Sequence, residues 1–398
     1  MRDLLTPERC LPQGSATLVG RAWVPGSAPG PAVVAVRDGD LWDLGPAAPT
    51  MSDLLEAEDP ASIARSASGT RLGPVAEILA NSVPEGRDSA RPWLLAPCDL
   101  QAVKASGVTF VASLLERVIE EQARGDAARA EEIRTRVVEI LGEDLAAIRP
   151  GSEEAARIKE VLLQQGAWSQ YLEVGIGPDA EIFTKAQPLS SVGTGAEIGI
   201  HPVSTWNNPE PEVVLAVDGQ GRVRGATLGN DVNLRDVEGR SALLLGKAKD
   251  NAASCAIGPF IRLFDEGFGI EQVRRIEISL TVDGPEGYRL SGRSSMSAIS
   301  RDPLDLVAQA IGPNHQYPDG LMLFLGTMFA PVEDRGEPGR GFTHKLGDVV
   351  TIAAPELGAL VNRVNRTDRV EPWTFGTRAL LRSLAARGLL QAAPAARA

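Results

Sequence analysis

Residues 204–231 decide the fold of this chain and read STWNNPEPEVVLAVDGQGRVRGATLGND. Two apolar runs flank the turn sequence DGQG at 218–221, and this pattern predicts a β-hairpin. Side chains alternate between the two faces of a strand, so every second residue shares a face. If residues 219–220 form a two-residue loop, Glu210 lies opposite Gly229 in the hairpin.

Three acidic side chains, Glu210, Glu212 and Asp231, fall on one face of that predicted hairpin. Converging carboxylates repel one another unless a cation lies among them. Ligands that are all oxygen suit a hard ion such as Mg²⁺, Mn²⁺ or Ca²⁺. A solvated acidic edge is the alternative. Against it, Trp206, the two prolines and the Gly-Asn step before Asp231 specify the backbone more closely than a solvent face requires.

The composition narrows the class of protein. The chain has 398 residues, 43% hydrophobic and 23% charged, with a net charge of −12. This acidity argues against nucleic acid and anionic membrane as partners. We find neither an apolar run long enough to span a membrane nor an apolar signal segment after Met1, so we expect a cytoplasmic protein. Three scattered cysteines and three histidines predict neither disulfides nor a zinc site.

Element patterns predict an α+β protein in three parts. These are a small N-terminal domain of helices and strands (1–95), a helical connecting segment (96–170) and a strand-rich domain (171–398). The predicted elements are helices over 50–56, 73–80, 113–122, 127–141, 152–166 and 375–390, a hairpin at 38–39 and a loose tail over 392–398.

Three motifs carry a family resemblance: WNNPEPEVVL at 206–215, LGNDVNLR at 228–235 and SCAIGP at 254–259. They resemble the fumarylacetoacetate hydrolase superfamily, and within it the 2-keto-3-deoxy-pentonate dehydratases. The resemblance covers residues 95–365 and extends more weakly to the segment before them. It implies that the domain over 171–398 is a mixed β-roll and that the helical segment acts as a lid.

The same resemblance implies a catalytic Mg²⁺, with Mn²⁺ as an alternative, held by Glu210, Glu212 and Asp231. A lysine near such a cation is a candidate general base, because the cation disfavours its ammonium form. Lys249 matches the dehydratase pattern, whereas Lys247 matches the Gly-Lys-x-x-Asp pattern of the hydrolases. We favour Lys249 and keep Lys247 as the alternative.

The segment TFVASLLE at 109–116 bears on the type of reaction. Hydrolases of the family resemble Asn-Tyr-x-x-His-x-x-Glu here, and their His–Glu pair activates water. This chain keeps Glu116, a candidate general acid, but has Ser113 in place of the histidine. A serine is a poor base near neutral pH. Taken without the family, Ser113 is a polar residue at a helix start and Glu116 an exposed carboxylate.

Further substrate contacts are expected from the resemblance. Thr327, after Gly326, is the candidate contact for the substrate carboxylate. Ser113, Lys185 and Ser204 are additional candidates, and each also fits a structural or solvent-facing role.

Together the resemblance implies a hydro-lyase that dehydrates a 2-keto-3-deoxy sugar acid, with a pentonate favoured, to 2,5-dioxopentanoate. The partner would be a small 2-oxo acid, and we expect a homodimer or homotetramer. One alternative is a C–C bond hydrolase acting on a 2,4-diketo acid, which Ser113 disfavours. The other is a non-catalytic metal-binding paralogue.

Overall fold

The computed structural model describes residues 1–130, 133, 148–164, 168–336 and 341–390. They form an α+β protein, which confirms the predicted class. The strands are β1 Leu18–Val24, β2 Gly30–Arg37, β3 Asp40–Asp43, β4 Thr70–Pro74, β5 Trp93–Leu95, β6 Ala102–Ser106, β7 Ile182–Ala186, β8 Glu197–Ile200, β9 Pro211–Val217, β10 Val223–Asp231, β11 Cys255–Leu263, β12 Glu277–Asp283, β13 Arg289–Ser295, β14 Leu321–Phe324, β15 Val349–Ala354 and β16 Gly358–Arg366. The α-helices are α1 Pro7–Cys10, α2 Met51–Glu56, α3 Pro60–Ser66, α4 Val75–Asn81, α5 Val111–Ala123, α6 Glu153–Gln164, α7 Gln170–Ile176, α8 Arg235–Glu238, α9 Leu245–Lys249, α10 Ile270–Val273, α11 Pro303–Ala310 and α12 Thr377–Ala386.

Two mixed sheets build the molecule. The larger runs β4-β3-β2-β1-β11-β10-β9-β14-β6-β7, with β5 paired to β1, and the smaller runs β13-β12-β15-β16-β8. Strand β9 is buried at every position. Its residues Val213 and Leu215 pack in a core shared with β12 and β15. Val214 and Ala216, on the opposite face, pack in a second core with α2 and α3.

The N-terminal strands belong to the large sheet. Leu18 of β1 pairs with Arg262 of β11, so residues 18–43 continue the sheet that contains β9 and β10. The hairpin at Asp38-Gly39 forms as predicted, since β2 and β3 pair antiparallel across it. The division of the chain into three parts with boundaries at 95 and 170 stays a prediction.

The β9–β10 hairpin differs from the predicted register by two residues. Glu212, not Glu210, lies opposite Gly229, and a bulge falls between Val223 and Gly225. The loop is longer because the buried Asp218 carboxylate accepts hydrogen bonds from the backbone N–H groups two and four residues later, at 3.0 and 2.9 Å. A shift of two residues preserves the face of every side chain, so the predicted convergence of the three acidic residues survives.

Helix α5 follows the predicted amphipathic segment and buries Leu114, Val118 and Ile119. Helix α6 begins after Ser152, whose Oγ accepts a hydrogen bond from Ala155 N at 3.2 Å, as an N-cap does. Most of the helix predicted over 127–141, the end predicted at 166 and the tail over 392–398 lie outside the described residues. Within the described ranges, every helix is too short or too polar to cross a membrane.

Candidate active site

The hairpin brings three buried carboxylates together. Oxygen atoms of Glu210, Glu212 and Asp231 all lie within 4.8 Å of one another. Their side chains are 0%, 0% and 2% exposed. The backbone fixes the arrangement, because Asp231 N donates to Glu210 O at 3.0 Å across the ladder.

The charges in this cluster are unevenly compensated. Burial and the neighbouring carboxylates of Asp231 and Glu210 raise the pKa of Glu212 well above its usual range. Burial would also raise the pKa of Glu210, yet the Arg117 guanidinium and the Lys249 ammonium hold it well below its usual range. The three carboxylates repel one another when all are ionised, and a hard divalent cation would relieve this repulsion. The cluster therefore fits such a cation.

Lys249, at the end of α9, lies against the cluster. Its Nζ donates to Glu210 Oε2 at 2.5 Å and to Asp231 Oδ2 at 3.0 Å. Burial alone would lower the pKa of Lys249, but the carboxylates of Asp231 and Glu210 raise it above its usual range. The expectation of a lowered pKa therefore does not hold for the cluster by itself. Lys247, the alternative base, is exposed.

A small cavity opens beside these groups. It is lined by Ser106, Gly107, Val108, Ser113, Arg117, Glu181, Phe183, Glu210, Asp231, Glu238, Lys249 and Thr327. Its volume of about 10 Å³ is room for one water or ion. No histidine is among the described lining residues.

Two of the predicted substrate contacts reach this cavity. Thr327 Oγ1 lies 2.8 Å from Glu210 Oε2 and 3.2 Å from Glu212 Oε1. Ser113 Oγ donates to the backbone oxygen of Phe110 at 2.8 Å, which ties it to its own helix turn. Both hydroxyls are therefore engaged by the protein, and Thr327 bonds directly to the acidic cluster.

The other predicted site residues do not line the cavity. Glu116 Oε2 instead accepts from Arg235 Nη2 at 2.9 Å. Ser204 Oγ donates to Asp236 Oδ1 at 2.7 Å. Lys185 is buried behind the cluster, where its ammonium is paired with Asp231. The structure thus separates the predicted general acid Glu116 from the cavity, because an arginine holds its carboxylate elsewhere.

Sequence reasoning missed three charged groups that line the cavity: Arg117, Glu181 and Glu238. Arg117, one residue after Glu116 on α5, donates through Nη2 to Glu210 and through Nη1 to Glu120 at 2.6 Å. Glu181 precedes β7, and burial together with the nearby Glu238 raises its pKa to about 7. The spacing of four residues from Ser113 places Arg117 on the same helix face and was the available signal for it. A single acid before a strand gives no such signal.

Comparison with known proteins begins with the family model. Residues 178–365 match the model of the fumarylacetoacetate (FAA) hydrolase C-terminal family. This range contains Glu181, the acidic cluster, Lys249 and Thr327. It leaves out α5 with Ser113 and Arg117.

Two curated relatives are similar in sequence. One, from Saccharolobus solfataricus, is named 2-dehydro-3-deoxy-D-arabinonate dehydratase; it is 31% identical over 190 residues, covering 48% of this chain and 60% of the relative. The other, from Haloferax volcanii, is named probable 2-keto-3-deoxyxylonate dehydratase; it is 29% identical over 194 residues, covering 49% and 63%. The match thus spans less than two thirds of either relative.

Solved structures share the fold. A 2-keto-3-deoxy-D-arabinonate dehydratase complexed with magnesium and 2,5-dioxopentanoate aligns with a TM-score of 0.60 at 21% identity, covering 88% of this chain and 99% of that one. A fumarylacetoacetate hydrolase from Exiguobacterium antarcticum aligns with a TM-score of 0.54 at 15% identity, covering 88% and 100%. At these identities the likeness establishes the fold.

Proposed function

We propose that this chain, which belongs to the fumarylacetoacetate hydrolase superfamily through residues 178–365, is a Mg²⁺-dependent dehydratase of a 2-keto-3-deoxy sugar acid. A pentonate is the favoured substrate and 2,5-dioxopentanoate the product. The names of both curated relatives support this reaction. The observation that carries the proposal is Lys249, a buried amine that touches two of three clustered carboxylates.

Glu210, Glu212 and Asp231 would hold Mg²⁺, with Mn²⁺ as an alternative. When bound, the cation supplies a Lewis acid that polarises the ketone of a 2-oxo acid and makes its C3–H bond acidic. Carboxylates that bind a cation no longer stabilise the ammonium of Lys249. With the cation bound, the pKa of Lys249 would fall from its raised value, and its amine would be available as a base.

Lys249 would take a proton from C3 of the substrate. The electron pair left at C3 forms the C3–C4 double bond and expels the C4 hydroxyl. Glu181 would donate a proton to that hydroxyl so that it leaves as water, since a carboxyl group with a pKa of about 7 is partly protonated at neutral pH. The resulting C3–C4 alkene still carries a C5 hydroxymethyl group. Loss of a proton from C5 and gain of one at C3 would convert it into the C4–C5 enol. That enol becomes the aldehyde when C4 gains a proton and the C5 hydroxyl loses one. Glu181 thus replaces Glu116 as the proposed acid.

The cavity lining supports dehydration over hydrolysis. A C–C hydrolase needs a base that activates water, and in the pattern of the family's hydrolases this base is a histidine. The corresponding position here holds Ser113, whose hydroxyl donates to its own helix backbone. Thr327 is proposed to orient the carboxylates of Glu210 and Glu212 and to face the substrate carboxylate. Assembly as a homodimer or homotetramer and a cytoplasmic location stay predictions.

Incubation of the protein and Mg²⁺ with 2-keto-3-deoxy pentonates, 2-keto-3-deoxy hexonates and 2,4-diketo acids tests the proposal. We expect an aldehyde from at least one keto-deoxy sugar acid and slow cleavage of the diketo acids. Rapid release of pyruvate from a diketo acid, with no aldehyde from any sugar acid, would favour the hydrolase instead. Inactivity on the whole panel, despite bound Mg²⁺, would favour a non-catalytic paralogue.

A further inference from the structure

Lys185 on β7 is a fully buried lysine, with 0% exposure. A buried ammonium is costly unless it is paired and hydrogen-bonded. Lys185 Nζ donates to Val232 O at 3.1 Å and to Lys249 O at 2.5 Å, and it forms an ion pair with Asp231 Oδ1 at 2.8 Å. Lys185 is not among the described residues that line the cavity. Its contacts are therefore with the protein, in contrast to the substrate contact predicted from the sequence.

The three oxygen atoms around Lys185 Nζ belong to two different parts of the active site. Asp231 is a member of the acidic cluster, and Val232 is the next residue in the chain. The backbone oxygen of Lys249 ends the helix that carries the proposed base. One ammonium thus connects a proposed metal ligand with the main chain of the proposed base.

Strand β7 makes a second contact with Lys249, through Phe183. Phe183 lies two residues before Lys185, at which the pairing of β6 with β7 shifts register. The Lys249 Nζ lies 5.7 Å from the centre of the Phe183 ring. The strand therefore contacts the ammonium of Lys249 through Phe183 and its backbone oxygen through Lys185.

We propose that Lys185 is a positioning residue that sets the orientation of the Asp231 carboxylate and the end of the helix carrying Lys249, and that it does not bind substrate. The Asp231 oxygen that is ion-paired with Lys185 is Oδ1, whereas Oδ2 faces Lys249. Lys185 thereby fixes the rotation of the carboxylate and presents the second oxygen to the cluster. The metal-binding part of this inference is independent of the reaction, and its kinetic part rests on the proposed function.

Substitution Lys185→Met tests the inference, since it keeps the length of the side chain and removes its donors. Titration of the metal-free protein with Mg²⁺ in a calorimeter should show affinity weakened by about 10–100-fold, the usual cost of losing a group that orients a metal ligand. At saturating Mg²⁺, kcat should fall while KM for the sugar acid stays close to that of the wild type. Unchanged Mg²⁺ affinity together with a raised KM would show that Lys185 binds substrate, and would overturn the inference.

Lys104→Met is the matched control. Lys104 lies on the neighbouring strand β6, is partly exposed and donates to Thr184 Oγ1 at 2.9 Å. Its loss should leave both Mg²⁺ affinity and kcat unchanged. Because the titration needs no substrate, weakened binding in Lys185→Met supports the inference even if the proposed reaction is wrong.

Ser254→Ala keeps the inference testable if Lys185→Met does not fold. Ser254 Oγ also donates to Lys249 O, at 2.7 Å, and is not hydrogen-bonded to Asp231. Its loss should lower kcat by about tenfold with Mg²⁺ affinity unchanged. An unchanged kcat would show that the main chain of Lys249 needs no such anchor, and would overturn that part of the inference.

Discussion

Two groups of buried acids differ in how the protein compensates them. The closed network consists of Asp348, Arg335 and His344, and the open cluster consists of the three hairpin carboxylates. Asp348 accepts from Arg335 at 2.5 and 2.7 Å and lies 3.0 Å from His344 Nδ1. Burial opposes its ionisation, but these partners lower the pKa of Asp348 to about 2.

The open cluster differs because its cations contact Glu210 and Asp231 but, among the described contacts, not Glu212. Glu212 instead accepts a hydrogen bond from Gly326 N at 2.7 Å. The pKa of Glu212 is raised there, whereas that of Asp348 is lowered in the closed network. Both groups are buried, so burial of acids alone does not identify a functional site. The repulsion at Glu212, together with the convergence of three carboxylates, is the property that indicates a cation site.

The largest expected effect is on turnover, and it follows from loss of Lys249, a lysine that contacts the open cluster. Lys249→Met should lower turnover by about 10²–10⁴-fold, as expected for loss of a general base. It should also abolish exchange of the substrate C3 proton with deuterated solvent, followed by NMR. Lys247→Met is the control, because Lys247 is exposed on the same helix. Wild-type exchange in Lys249→Met, with exchange lost in Lys247→Met, would reverse the assignment of the base.

A second test concerns proton donation in the cavity. Glu181→Gln should slow loss of the C4 hydroxyl by about 10²-fold while sparing C3 exchange. Because its carboxyl must be protonated to act, wild-type activity should fall as pH rises through about 7. Glu116→Gln should have a smaller effect, since that carboxylate is paired with Arg235. If Glu116→Gln proves the more damaging variant, Glu116 is the acid.

The closed network should contribute to the free energy of unfolding. Asp348→Asn removes the fully buried carboxylate partner of Arg335, which then keeps only the half-exposed Glu286 among its described carboxylate partners. The substitution should lower the free energy of unfolding by about 3 kcal/mol. The folded-state pKa of Asp348 is lowered, so its contribution is present above the unfolded value of about 3.9. That contribution is lost as pH falls through about 2. Urea unfolding at pH 7 and at pH 3 measures both effects, and equal stability of the two proteins at pH 7 would contradict them.

Glu212→Gln should change stability in the opposite direction to Asp348→Asn: in metal-free protein it should stabilise the fold. The folded-state pKa of Glu212 is raised, so its carboxyl lowers stability as pH rises above the unfolded value of about 4.3. Removing this acid should therefore raise the melting temperature at pH 8 without metal, by a few degrees. A lower melting temperature than that of the wild type would show that the repulsion is already compensated.

Local patterns in the sequence predict part of this site, and tertiary packing decides the rest. The face shared by Glu210, Glu212 and Asp231 follows from the period of a strand, and it tolerates a register error of two residues. The presence of Arg117 rather than Glu116 in the cavity is different. These two residues lie four and three positions after Ser113, so spacing from Ser113 fits both of them. Consecutive helix residues point about 100° apart, and the packing of α5 on the hairpin decides which one enters the cavity.

The contacts of Lys185 also cannot be predicted from the local sequence pattern. Its acceptors lie 47 and 64 residues away along the chain, on the end of β10 and on α9. The sequence identifies a lysine in a strand near the site. It does not reveal that two backbone oxygens and the Asp231 carboxylate converge on that lysine.

Calorimetric titration of metal-free protein with Mg²⁺ tests the difference between the two groups most directly. We expect one binding site in the wild type, strong loss of affinity in Glu212→Gln, and wild-type affinity in folded Asp348→Asn. Absence of Mg²⁺ and Mn²⁺ binding in the wild type, or full affinity in Glu212→Gln, would contradict the claim that the open cluster is a metal site.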